Sequence, residues 1–205
     1  MQARRQIIEK KSAPGIRRGG SVCWRWRMGV VIGLLVCGTL LVEPFRAAGG
    51  NADDAEYRVK LAFLYNFTQF IEWPPEAFSN PAAPLIICVA GPNPFTGEME
   101  QSVRRRTSSG HPIQIKSLQR NDDAKACQML FVRSSQKAAA SKILTALRGS
   151  NTVTVGETKH FATEGGLINL TLEENTLHFE VNLSAALQTR LKISSKLLSL
   201  ATIVT

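Results

Sequence analysis

Residues 85–94 read LIICVAGPNP, and this stretch decides the fold class. The six residues from Leu85 to Ala90 carry no charge, and a Gly-Pro-Asn-Pro turn follows them. A short apolar run that ends in turn residues is typical of a strand buried on both faces, as in a parallel sheet. The sequence therefore predicts a central parallel strand at this position.

Further strands and helices alternate after this strand. Apolar or alternating segments predict strands over 113–118, 128–133 and 152–155. Helical spacing predicts a short helix near 96–105 and a longer one over 136–147, which Ser134 or Ser135 can cap. Strands that alternate with helices are typical of βαβ units. We therefore expect the α/β class: a single three-layer sandwich with a mostly parallel sheet and helices on both faces.

A helix is also predicted before the central strand. Two aspartates at 53–54 begin a helical segment that runs through Glu72, and acidic residues in a first turn complement the helix dipole. Its aromatic stripe, typical of a core-facing surface, consists of Phe63, Phe67 and Phe70. Trp73-Pro74-Pro75 ends the helix, because the residue before a proline is excluded from the α region.

The C-terminal part predicts an antiparallel hairpin. Apolar and polar residues alternate over 168–173 and 177–183, and Glu174-Asn175 lies between them as a tight turn. A two-residue loop places Asn169 opposite Glu180 and Leu170 opposite Phe179, so that one hairpin face is wet and the other buried. Two helical segments follow, one capped by Ser184 with Leu187 and Leu191, and one with Leu197, Leu198, Leu200, Ala201 and Val204.

The first 50 residues differ from the rest of the chain. Residues 1–50 hold 9 Lys/Arg and 2 Asp/Glu, followed by an uncharged run over 28–42 and small residues at 47–50. This order is typical of a secretory signal peptide, and the apolar run is shorter than the roughly 20 residues that a spanning helix needs. We expect a leader over 1–50 and a domain over 51–205 that lies outside the cytoplasmic membrane. An uncleaved N-terminal anchor and a lipid anchor at Cys37 are the alternatives.

The charge distribution bears on the class of partner. Residues 51–205 hold 16 Lys/Arg and 14 Asp/Glu, so the basicity of the whole chain, a net +9, belongs mainly to the leader. A nearly neutral domain lacks the electrostatic footprint of a nucleic-acid-binding protein. The run at 104–106, three arginines, is interpreted as a helix end or as a contact for an acidic partner.

Catalytic and metal-binding patterns are missing from the sequence. The histidines at positions 111, 160 and 178 fall on different predicted elements without ligand spacing. An S-x-x-K match at 134–137 lacks the companion motifs of penicillin-recognising enzymes. We therefore expect a binding protein, with no catalytic residue, cofactor or metal.

Two cysteines, Cys88 and Cys127, lie outside the leader. An even pair in an oxidising compartment suggests one disulfide, which would close a loop of about 40 residues and stabilise the fold by roughly 4 kcal/mol. Two free buried thiols are the alternative.

An ordered set of motifs resembles the YfiR family of periplasmic regulators across nearly all of 57–205. The motifs are VKLAFLYNF at 59–67 with EWP at 72–74, IICVAG at 86–91 with PF at 94–95, CQMLFV at 127–132, GGLINL at 165–170, FEVNL at 179–183 and LKISSKLL at 191–198. Their most distinctive residues, which we interpret as structural, are Trp73, Pro74, Gly91, Phe95, Asn169, Phe179 and Asn182.

The resemblance implies a regulatory function. YfiR-like proteins are dimeric, disulfide-dependent periplasmic proteins of biofilm regulation. They bind the periplasmic sensor region of an inner-membrane diguanylate cyclase and lower cyclic-di-GMP synthesis, and an outer-membrane OmpA-like lipoprotein can sequester them. The contact surface would be an exposed apolar patch or the polar face of the hairpin.

Two departures and one alternative accompany this resemblance. Many members carry a histidine where this chain has Gln128, and some have a second cysteine pair that is missing after Cys127. The alternative is a periplasmic small-molecule sensor for a different membrane output, such as a histidine kinase or a transport system. Its ligand would bind at the loop 91–95, after the central strand of an open α/β sheet.

Overall fold

A computed structural model describes residues 52–95, 97–118 and 124–205, so the predicted leader lies outside the described residues. The helices are α1 (Ala52–Phe70), α2 (Glu98–Arg104), α3 (Lys137–Leu147), α4 (Leu183–Leu187) and α5 (Ser195–Leu198). The strands are β1 (Ile71–Glu72), β2 (Leu85–Ala90), β3 (Thr107–Ser108), β4 (His111–Leu118), β5 (Met129–Val132), β6 (Val153–Gly156), β7 (Ile168–Glu173), β8 (Thr176–Asn182), β9 (Lys192–Ile193) and β10 (Thr202–Val204).

Eight of these strands form one mostly parallel sheet, in the order β10-β8-β7-β6-β5-β2-β4-β3. The apolar run at 85–90 is the predicted parallel strand, with β5 on one side and β4 on the other. The antiparallel neighbours are β7 with β8 and β3 with β4. The predicted α/β class with a C-terminal antiparallel hairpin is confirmed.

Helices cover both faces of this sheet. Alternate residues of β2 point to opposite faces, so that Ile87 belongs to one buried cluster and Cys88 to the other. The first cluster includes residues of α1, α2 and α5, whereas the second includes residues of α3. An apolar strand is required at the centre because both of its faces are removed from water.

The first helix ends two residues earlier than predicted. Its aromatic stripe is core, since Phe67 lies with its ring centroid 5.2 Å from that of Phe179. The helix ends at Phe70, and Ile71 and Glu72 pair antiparallel with β9. Pairing with a distant part of the chain therefore replaces the last half-turn that the spacing predicted.

The hairpin has the predicted register, with Asn169 opposite Glu180 and Leu170 opposite Phe179. Glu174 and Asn175 both have positive φ, 47° and 62°, as a type I′ turn requires. Its polar face is wet only towards the turn, because Asn169 is 1% exposed and donates a hydrogen bond to Glu180. The expectation of a wholly wet face is therefore wrong.

The structure differs most from the predicted caps and helices near the C-terminus. Asn182, not Ser184, caps α4 by accepting from the N–H of Ala185 at 2.8 Å, and Leu191 lies outside that helix. The last predicted helix shortens to α5, and 202–204 instead form β10, parallel to β8. The open edge of β8 offers backbone partners that local helical spacing cannot reveal.

Candidate functional site

Three parallel strands, β2, β5 and β6, end at the same edge of the sheet. The chain leaves β2 towards β4 and then returns to β5 on the other side, which makes this edge a topological switch point. The loops that meet there begin with Gly91, Arg133 and Glu157. This is the edge at which the sequence suggested a ligand loop.

A buried carboxylate, Glu157, joins this edge to α1. Its side chain is 3% exposed and lies 2.5 Å from the ammonium group of Lys60, which is itself 7% exposed. The Tyr57 hydroxyl donates to it at 3.2 Å, and the N–H of Ser134 donates at 2.7 Å. Lys60 also pairs with Glu56, one helical turn earlier. Glu157 therefore holds α1 against the loops after β5 and β6.

Arg133 fills the neighbouring space. Its guanidinium donates to the Pro92 carbonyl at 3.0 Å and to the Tyr57 hydroxyl at 2.9 Å, and it stacks on the Tyr57 ring at 4.9 Å. Gly91 has a φ of +100°, and a Cβ added there would lie 3.2 Å from the side chain of Gln136. The loop at 91–95 is thus packed by side chains of this chain itself.

The charges of the Lys60–Glu157 pair are stabilised by each other. Burial alone would raise the pKa of Glu157, but hydrogen bonds from Lys60 and Ser134, together with the ammonium charge, lower it below its ordinary value. Burial alone would lower the pKa of Lys60, but hydrogen bonds to Glu157 and Glu56 raise it. Both groups are therefore charged at neutral pH.

The sequence analysis missed this ion pair. One signal was available: Lys60 stands four residues before Leu64 and seven before Phe67, on the buried stripe of α1. A lysine on a core-facing stripe requires a buried partner. The partner itself is 97 residues away, so only the fold brings the pair together.

Gln128, which departs from the family motif, connects three segments. Its Oε1 accepts from the N–H of Ile86 at 2.8 Å, and its Nε2 donates to the Ala77 carbonyl at 2.5 Å. The indole N–H of Trp73 donates to the backbone carbonyl of Gln128 at 2.9 Å. The motif residue Trp73 thus contacts the backbone beside β5, and the Gln128 side chain is a two-sided hydrogen-bond connector.

The remaining motif residues make packing and hydrogen-bond contacts within the fold. The Pro74 carbonyl begins the 3₁₀ turn Pro75–Ala77 by accepting from the N–H of Ala77. Phe95 is buried between Tyr57 and Phe131, and Phe179 packs on α1. Asn182 caps α4 and also donates to the Ala162 carbonyl.

The two cysteines outside the leader form a disulfide in the structure, with their Cα atoms 5.9 Å apart. Both are buried in the cluster on the α3 side of the sheet. The bond ties β2 to the turn that enters β5, so it supports the central pair of strands.

Catalytic geometry does not emerge from the described residues. His111 stacks on Phe78 and contacts the Ala83 carbonyl, whereas His160 and His178 lie on separate segments. Within residues 52–95, 97–118 and 124–205, no group of three or more His, Cys, Asp or Glu side chains could hold a metal ion.

A second candidate surface, apart from the edge with Glu157, carries exposed apolar residues. Leu200 is 74% exposed and Ile203 is 42% exposed, and both lie in or beside the edge strand β10. Leu187 on α4, 85% exposed, lies in a different element. Exposed apolar side chains beside an unpaired strand edge are typical of a protein contact.

The fold and the buried packing at the switch point together define an α/β domain. A model of the family described as YfiR/HmsC-like matches residues 57–202, and the chain belongs to this family. The family consists of periplasmic regulatory proteins rather than enzymes. A comparison with curated proteins finds no match.

Proposed function

We propose that this protein is a periplasmic repressor of an inner-membrane diguanylate cyclase. It binds the periplasmic sensor region of the cyclase and lowers cyclic-di-GMP synthesis in the cytoplasm. The observation that carries the proposal is membership of the YfiR/HmsC-like family over residues 57–202.

Export of residues 51–205 by the leader at 1–50 is part of this proposal. The buried Cys88–Cys127 disulfide supports it, because disulfides persist in oxidising compartments such as the periplasm. Among the helices of the described residues, none is long and apolar enough to cross a membrane. N-terminal sequencing of the periplasmic protein would give the cleavage site.

Repression by binding is a shift between two states of the cyclase. A binder favours the inactive state only to the extent that it binds that state more tightly. A 100-fold reduction of activity requires a differential affinity of about 2.7 kcal/mol. A small apolar contact is sufficient for an effect of this size.

We propose that the contact lies at the β10 edge, around Leu200 and Ile203. Of the two surfaces that the sequence left open, the polar hairpin face is partly buried at Asn169, whereas Leu200 is largely exposed. Burial of a leucine side chain stabilises a complex by about 1.5–3 kcal/mol. A contact that is made only with the inactive state would therefore supply the differential affinity that repression requires.

The direct test compares intracellular cyclic-di-GMP in wild type, a deletion strain and a complemented strain. We expect a rise in the deletion strain that the exported protein reverses. Unchanged cyclic-di-GMP across growth and redox conditions would contradict the proposal and favour the sensor alternative with another output.

A pair of matched variants tests the contact. Leu200→Glu should abolish repression in the complemented strain, while Leu187→Glu, at a more exposed leucine of α4, should retain it. Periplasmic abundance of both variants is measured by immunoblot. Equal repression by the two variants would show that the contact lies elsewhere.

The proposal includes two further protein contacts from the family resemblance, a homodimer and sequestration by an outer-membrane OmpA-like lipoprotein. Light scattering on the purified protein measures whether it is a dimer. Co-purification with the lipoprotein, with and without reductant, measures whether the two proteins form a complex.

A further inference from the structure

A polar cavity of about 210 Å³ lies away from the Glu157 edge. It is bounded by the C-terminal half of α3, the start of β6 and the residues of α4, so it lies at the opposite end of the parallel strands. The sequence analysis did not single out this region as a site.

The buried residues that line the cavity are uncharged. Three are polar, Thr152, Thr154 and Asn182, each about 5% exposed or less, and three are apolar, Leu144, Leu147 and Leu167. The two charged residues that line the cavity, Arg148 and Glu164, are exposed, and they have opposite signs. Five more hydroxyl side chains line the cavity, on Ser141, Thr145, Ser150, Ser184 and Thr189.

Several walls of the cavity are held in place by hydrogen bonds. Asn182 donates to the Ala162 carbonyl at 2.6 Å and accepts from the N–H of Ala185 at 2.8 Å. Thr154 accepts from the N–H of Leu167 at 2.9 Å. Sites that bind small molecules are usually formed before the ligand arrives, and this cavity meets that condition.

One hydroxyl in the cavity has no partner among the described residues. Thr152 is 4% exposed as a residue, and its hydroxyl makes no hydrogen bond to any residue that the structure describes, although the oxygen itself is not fully buried. Thr154 uses its oxygen as an acceptor and retains a proton to donate. Both hydroxyls therefore keep hydrogen-bonding capacity that a ligand in the cavity could use.

The chemistry of the lining selects the class of ligand. A charged group placed at the threonines would lose its water without gaining a counter-charge. An apolar group would leave the hydroxyls without partners. The lining suits a molecule with many groups that both donate and accept, and the cavity is smaller than the roughly 300–1,000 Å³ typical of drug-sized ligands.

We infer that this cavity binds a neutral, polyhydroxylated molecule of monosaccharide size. Such a ligand would bridge β6 and α3 to α4, and it would bring a chemical input to an exported protein. The inference does not depend on the proposed action on a cyclase, because the cavity and the Leu200 edge are formed by different residues.

The test is an NMR titration of the purified protein with D-glucose, D-galactose and N-acetyl-D-glucosamine, into the millimolar range. We expect at least one sugar to produce saturable shifts at the amides of Thr152 and Thr154. Glycine and acetate, as zwitterionic and anionic probes, should not produce them.

Two variants make the titration specific. Thr152→Val keeps the shape of the side chain and removes the hydroxyl, so affinity should fall about three- to tenfold, as for one lost hydrogen bond. Thr176→Val, at an exposed threonine of the hairpin, is the matched control and should leave affinity unchanged. Ser184→Ala, on the α4 wall, repeats the test should Thr152→Val fail to fold.

Three outcomes would overturn the inference. They are no saturable shift at the cavity with any of the three sugars, equal affinity in the hydroxyl-deleted and control variants, and binding of glycine or acetate in preference to sugar. The repression assay with Leu200→Glu is independent, so failure here and failure of the proposed function are distinguishable.

Discussion

Glu157→Gln is expected to destabilise the protein through the charge that it leaves behind. The variant keeps the size of the side chain but removes the negative charge opposite Lys60, which is 7% exposed. It also turns one former acceptor into an N–H₂ group, which must face either the Lys60 ammonium or the N–H of Ser134. Both effects act in a site from which water is excluded.

The size of the expected loss in the free energy of unfolding follows from the burial of the Lys60–Glu157 pair. Removing one partner of a buried ion pair costs about 3–5 kcal/mol. Because Lys60 retains Glu56 at 2.5 Å, we expect the lower end, about 3 kcal/mol. For a domain of this size, that loss lowers the melting temperature by roughly 6–12 °C.

Urea unfolding, followed by the fluorescence of Trp73 and checked by circular dichroism, measures the loss. The matched control is Glu72→Gln, whose carboxylate is 72% exposed and lies 3.7 Å from Lys192. An exposed pair contributes at most about 1 kcal/mol, so this control should remain close to wild type. Equal losses in the two variants would refute the argument from burial.

The pH dependence of stability provides a second readout. The pKa of Glu157 is lowered in the folded state, so its contribution is present above the unfolded pKa and is lost as the pH falls through the folded one. The pKa of Lys60 is raised, so its contribution is lost as the pH rises through that value. Glu157→Gln should therefore flatten the acid side of the stability profile, whereas Glu72→Gln should leave it unchanged.

Three further changes probe the rest of the fold. Gln128→Leu removes both connector bonds and should cost about 2 kcal/mol in urea unfolding, while Gln128→His, with two ring nitrogens, should cost less. In Gly156→Ala, the added Cβ would overlap the ring of Phe161, so we expect a loss of about 3 kcal/mol in the free energy of unfolding. A thermal midpoint within error of wild type would contradict this expectation. Cys88→Ser opens the bond to Cys127 and should cost roughly 4 kcal/mol, with lower periplasmic abundance; identical melting with and without reductant would argue against it.

Local sequence patterns were sufficient to predict the central strand and the C-terminal hairpin. The run at 85–90 is a parallel strand because six apolar residues must be buried on two faces. The hairpin register follows from a two-residue turn, which leaves one pairing for alternating strands. The tight turn was predicted from Asn175, which tolerates a positive φ, whereas the positive φ of Glu174 was not.

Local sequence patterns predicted the wrong structure where a segment pairs with a distant part of the chain. Residues 202–204 have helical spacing but form β10, because β8 offers them an unpaired edge. Ser134 or Ser135 was expected to cap α3, but Gln136 is the N-cap residue of α3 and no side-chain cap hydrogen bond forms, while the N–H of Ser134 donates to Glu157. A sequence does not show which backbone groups another segment leaves unpaired.

The sequence by itself determined the fold class, the hairpin, the resemblance to a regulatory family and a cysteine pair suited to an oxidising compartment. These properties depend on composition, periodicity and the order of motifs, all of which are local. Only the tertiary structure decided that Lys60 and Glu157 form a buried ion pair, that Gln128 joins three segments, and that hydroxyls from α3, β6 and α4 line one cavity. Each of these contacts joins residues tens of positions apart, and the closure of such loops depends on the packing of the whole core rather than on any one segment.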